Sequence, residues 1–83
     1  MRQTWITFRS LTHAQRASRA LERKGVTATV RRASQELSLR GCGYAVVIRR
    51  SPREAMRILE ESRIPFERCF ERLENGEFRE AML

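Results

Sequence analysis

"YAVVIRRSPREAMRILEES", Tyr44 to Ser62, passes from one periodicity to another within nineteen residues. Tyr44 to Ile48 is an unbroken apolar run, the pattern of a central strand covered on both faces. After Arg49 and Arg50, Ser51 stands as an N-cap and Pro52 takes the first helical position, where its missing N–H is no loss. Glu54 completes the capping-box spacing. Ala55, Ile58, Leu59 and Ser62 recur at helical spacing as the inward stripe, and Pro65 ends the helix. A buried strand that feeds a helix lying back over it is half of a strand–helix–strand unit.

The same order stands upstream. "TWITF" (Thr4–Phe8) is a short β-branched and aromatic strand. In "RSLTHAQRASRALERKGV", Thr12 and Gln15 have the capping-box spacing. Ala14, Ala17 and Leu21 mark one helical face, with Ala20 beside them, and Arg16, Arg19 and Arg23 mark the other. Gly25 is the stop, so the helix is expected from about Thr12 to Lys24. "VTATVRR" (Val26–Arg32) alternates at Val26, Ala28 and Val30, a half-buried strand. "ASQELSLRGCG" has no clear period and two glycines, so it is expected to be loop. "FERCFERL" (Phe66–Leu73) is the last strand; with Phe66 and Phe70 toward the helices, Cys69 falls on the opposite face beside Glu67 and Glu71. Residues 74–83 are either a polar tail or, through an Asn75-Gly76 hairpin turn, an extra edge segment. Strand, helix, strand, strand, helix, strand predicts an α+β fold, a ferredoxin-like βαββαβ two-layer sandwich. It would have a four-stranded antiparallel sheet with two helices on one face, as a single domain over 1–83 with its core at about 4–73.

Composition narrows the function classes. No apolar run approaches the roughly 18 residues of a membrane span, and "MRQTWITFRS" is not a secretory segment. The expectation is a cytoplasmic protein with no membrane partner. The chain has 17 Lys+Arg against 10 Asp+Glu, a formal charge of +7, and Lys24 is its only lysine. Its first 53 residues carry all but five of the cations and only two acids, Glu22 and Glu36. That basic half suits an anionic partner, an acidic protein face or RNA. Trp5 and Tyr44, the aromatics on strands, either stack bases on an open sheet or fill the core. Two cysteines make no disulfide framework. One histidine cannot complete a zinc site with cysteines 27 residues apart. Neither a metal nor a cofactor is expected.

Chemistry concentrates in "LRGCG" (Leu39–Gly43). A thiolate is the nucleophilic form of cysteine, and cations or free backbone donors favour it. Gly41 and Gly43 on either side of Cys42 let backbone N–H groups converge and leave room for a sulfur adduct, and Arg40 supplies a cation. The competing reading is a small buried thiol at a strand start. His13 lies in the first turn of the first helix, which the expected topology brings to the same end as Cys42. Cys69 has no glycine neighbour or cation cluster, which favours a structural role over that of a resolving thiol.

"TFRSLTHAQRASRALERKGV" followed by "RRASQELSLRGCGYAV" resembles the selenium/sulfur carrier-like family of short bacterial proteins. The matching positions are Phe8, Ser10, Ala14, Ala17, Leu21 and Gly25, then Glu36, Leu37, Ser38, Cys42 and Gly43. The family's loop usually carries a proline before the Leu-Ser pair, whereas Pro52 and Pro65 lie elsewhere. The resemblance implies a carrier, not an enzyme, that handles sulfur or selenium through Cys42 with donor and acceptor proteins as partners. Two other classes stay open: a basic nucleic-acid- or anion-binding module, and a homodimeric interaction domain.

Overall fold

The computed structural model describes residues 3–39 and 43–81. The chain runs β1 (Gln3–Phe8), α1 (Leu11–Arg23), β2 (Thr29–Arg32), α2 (Gln35–Leu39), β3 (Tyr44–Ile48), α3 (Pro52–Glu61), β4 (Arg68–Arg72) and β5 (Phe78–Glu80). The strands form one sheet in the order β2-β3-β1-β4-β5, with every neighbouring pair antiparallel. This is an α+β architecture of five strands and three helices among the described residues, so the four-strand, two-helix expectation is corrected on both counts. β1 to β4, with α1 and α3, keep the expected order.

Both long helices are set by their ends. Ser10, not Thr12, caps α1, its Oγ accepting the His13 N–H at 3.2 Å, so the helix begins one residue earlier than expected. Ser51 caps α3 as expected, accepting from Glu54 N–H. The Glu54 carboxylate turns instead to Arg50, at 2.6 Å, so only half of the capping box forms. Each helix stops in the same way. Val26 N–H reaches Leu21 O and Gly25 N–H reaches Glu22 O after α1; Ile64 N–H reaches Leu59 O and Arg63 N–H reaches Glu60 O after α3. This bond pair needs a left-handed residue after the cap. Gly25 supplies it at φ 82°, whereas at α3 an arginine is held there, Arg63 at φ 55°. Ser62, expected in the inward stripe, is the exposed C-cap.

Period two sorts the strands into two cores. Ile6, Phe8, Val46, Ile48 and Cys69 point to one face and pack with Ala14, Ala17 and Leu21 of α1 and Ala55, Ile58 and Leu59 of α3. Trp5, Ala45, Val47 and Phe70 point to the other, where Leu37 of α2 and Phe78 of β5 cover them. Cys69 is therefore on the helix face and Phe70 on the other, the reverse of the expected assignment. Pairing decides it: Cys69 lies opposite Ile6, and Phe70 opposite Trp5. Phe66 precedes the strand and is 40% exposed.

The second core explains the two unexpected elements. Leu37 is fully buried against Trp5's face, anchoring a short helix at whose start the Leu37 N–H donates to Ser34 Oγ at 3.4 Å. The hairpin reading of the tail holds. Asn75 Oδ1 accepts from Glu77 N–H, Gly76 sits at φ 89°, and Phe78 returns to meet Trp5 edge-on at 5.2 Å. Among the described residues, no helix is long and apolar enough to cross a membrane.

Candidate functional site

Gly43, the last residue of "LRGCG", meets the sheet where β1 ends. Phe8 lies opposite Tyr44, and Arg32, the last residue of β2, lies opposite Tyr44 on the other side. Gly43 immediately precedes this row. Its carbonyl accepts the Ala33 N–H at 3.1 Å, which fastens the base of the loop to the end of β2. Cys42, Arg40 and Gly41 lie outside the described residues. Gly43 is described, and it is exposed. A Cβ there would lie 3.4 Å from Arg9 O and 3.9 Å from Phe8 O, ordinary contact distances, and its φ is not positive. No backbone strain demands glycine at 43.

His13 is at the same end of the sheet as Gly43. Arg9, whose carbonyl neighbours Gly43, is followed directly by Ser10, the N-cap of α1. His13 Nδ1 lies 2.6 Å from Ser10 Oγ, so the ring folds back over the helix start and is exposed there. It borders a cleft of about 210 Å³ with Phe8, Arg9, Pro65, Phe66 and Glu67. The cleft lies on the β4 side of β1 and Gly43 on the β3 side. Two strand spacings, roughly 10 Å, separate their strands. The wall of the cleft is pinned by the Arg9–Glu67 pair at 2.7 Å and by Glu67 N–H to Thr7 O at 2.8 Å. Thr7 Oγ1 also exchanges hydrogen bonds with the Arg68 backbone, donating to its carbonyl and accepting from its N–H.

The cleft and its apolar rim were not read from the sequence. Leu11 and Phe66, 42% and 40% exposed, are the exposed large apolar side chains among the described residues, and both border this end. Phe66, expected as the first residue of the last strand, lies before it; Pro65, which has no N–H to give to a ladder, is the local signal for that.

Cys69 does not belong to this site. It is 3% exposed, inside the helix-side core. Burial, then the charges of Glu71 and Glu80, push its thiol from 9.0 up to about 12. Among the described residues no group of three or more His, Cys, Asp or Glu could hold a metal ion.

The aromatics on strands do not form a stacking platform. Trp5 is 3% exposed and faces the second core, whereas Tyr44 packs half-buried on the helix side.

A model of the family described as "Putative Se/S carrier protein-like" matches residues 3–71. No curated protein and no solved structure gives a match.

Proposed function

We propose that this chain, which belongs to the Se/S carrier-like family, relays sulfur or selenium through the thiol of Cys42. The observation that carries the reading is the contrast between the two cysteines. Cys69 is buried with its thiol pushed up to about 12, so it supplies almost no thiolate near neutral pH. Cys42 is joined covalently to an exposed Gly43, at an end of the sheet that also exposes Leu11, Phe66 and a cleft. An apolar rim beside a transfer residue suits a protein that must dock with a donor and then an acceptor.

The relay balances without an outside oxidant. The Cys42 thiolate attacks the outer sulfur of a donor persulfide. The new S–S bond forms on Cys42, the donor's own S–S bond breaks, and the donor cysteine leaves as a thiolate. The proton on the outer sulfur stays there. An acceptor thiolate then attacks that outer sulfur and releases Cys42 as thiolate. A selenopersulfide follows the same course. Arg40, Gly41, Gly43 and His13 are the residues proposed to stabilise the charge or border the loaded thiol. In this reading the chain is a cytoplasmic carrier without a turnover site of its own, built on the ferredoxin-like order of β1 to β4.

The test is intact-mass analysis after incubation with a cysteine desulfurase and cysteine. A gain of one sulfur atom should occur in wild type and in Cys69→Ala and be absent from Cys42→Ser. Loading that survives in Cys42→Ser, or fails in wild type while the desulfurase itself is loaded, defeats the proposal.

A further inference from the structure

The opposite end of the sheet carries a second feature that the relay does not use. A cleft of about 460 Å³ opens between β2, the end of β3 and the start of β1. Val47 lies in its lining with Arg31, Arg49, Arg50, Thr29 and Gln3, and no carboxylate side chain lines it. Among the described residues neither Arg31 nor Arg49 is paired with a carboxylate, and Arg50 shares only an exposed pair with Glu54. Guanidinium forks, hydroxyls and an amide gathered without an acid make a donor-rich, positive cleft, the complement of phosphate oxygens. Gln3 marks the end of β1 away from Phe8 and Gly43, and the cleft reaches from there to Arg31, which lies opposite Ala45.

We propose that this cleft binds the sugar–phosphate backbone of a nucleic acid. The extent of the charge argues for a polymer over a single phosphate. Arg31 from β2 and Arg72 from β4 both lie over the Trp5 ring, at 5.9 and 5.6 Å from its centroid. They converge over that one ring, Arg31 from the β2 side and Arg72 from the β4 side, so the positive surface continues from the cleft past β1. Backbone contact, not base reading, follows from what lies beneath. Trp5 is buried under those guanidiniums and offers no free face for a base to stack on. Phosphate contacts position a nucleic acid without reading its sequence, so binding is sequence-independent. An acidic protein is disfavoured because protein partners need apolar anchors at the centre of the contact. Among the described residues the exposed large apolar side chains, Leu11 and Phe66, are at the other end of the sheet.

Fluorescence anisotropy with a labelled single-stranded RNA of about 20 nucleotides and mixed sequence tests this, over 50 to 200 mM salt. Affinity should fall as salt rises, with a log–log slope of roughly 2 to 3 for three or four phosphate contacts. The double variant Arg31→Gln, Arg49→Gln should lose about tenfold or more in affinity and about 1.4 in slope. Arg16→Gln, Arg19→Gln removes the same charge from the outer face of α1 and should change affinity by less than about threefold. Arg31 packs on Trp5, so Arg49→Gln alone, which leaves that contact intact, should lose about 0.7 in slope. Cys42→Ser should bind as wild type does, which separates this site from the relay. Equal weakening by the two double variants overturns the proposal. So does displacement of the RNA by poly-glutamate of equal total charge, or by inorganic phosphate at an equal concentration of phosphate groups.

Discussion

Cys69 offers the sharpest measurement on this chain because its chemistry is set by its surroundings. It lies opposite Ile6 at the centre of the helix-side core and is 3% exposed. Desolvation of the thiolate, with Glu71 and Glu80 adding repulsion, moves its ionisation from 9.0 up to about 12. A rise of that size leaves about a thousandfold fewer thiolates at any pH well below both values. Burial adds to this, since a reagent reaches the sulfur only when the sheet opens locally. The perturbation is Cys42→Ser, which leaves Cys69 as the one cysteine. Alkylation by iodoacetamide at pH 8, followed by intact mass, should run about a thousandfold slower or more in the folded protein than in denaturant. In the companion Cys69→Ala protein, Cys42 should react at least as fast as in the denatured chain. A folded Cys42→Ser protein that alkylates within tenfold of its denatured rate would refute the placement of Cys69, and with it the contrast on which the relay rests.

Four further outcomes are expected. The buried thiol makes stability fall in alkali: below about pH 9 folded and unfolded chains both hold the proton, and between 9 and 12 only the folded chain does. Chemical denaturation should therefore show a loss near 1.4 kcal/mol per pH unit in that window, relative to Cys69→Ala. Arg63→Gly should stabilise the protein by about 1 kcal/mol, read as a rise in Tm of roughly 4 to 8 °C, because glycine carries no Cβ into the left-handed conformation that Arg63 adopts at φ 55°. Gly43→Ala, at an ordinary φ with contacts of 3.4 Å, should stay within about 0.5 kcal/mol of wild type, while Leu37→Ala should cost about 2 to 4 kcal/mol by emptying a buried position against Trp5.

The contrast between α3 and α2 shows where sequence reading succeeds. Ser51, Pro52 and the Ala55–Ile58–Leu59 stripe are local signals, all within two turns, and α3 forms where they place it. Gly25 ends α1 for the same local reason, through its own φ. Ser34 is also a cap, but only five residues of α2 follow it, too few for a periodicity to emerge. What holds α2 is Leu37 on Trp5's face, a contact between residues more than thirty apart. β5 is similar: Asn75-Gly76 announces a turn, but Phe78 makes an edge strand only because Trp5 and Phe70 offer it an apolar surface.

The site divides along the same line. The cysteine between two glycines, the basic first half and the His13 position at a helix start are properties of the chain itself. The sequence alone determined the α1–β2 and β3–α3 units, because caps, glycine stops and periodicity act over a few residues. It also determined the likeness of its first two units to a carrier-like family. Tertiary structure decided which face each β4 side chain takes, because strand pairing, not local pattern, selects between two faces of equal period. That choice buries Cys69. Folding also decided which arginines share a cleft, since Arg31 meets Arg49 and Arg50 only when β2 and β3 lie side by side, and meets Arg72 over Trp5 only when β1 and β4 join them.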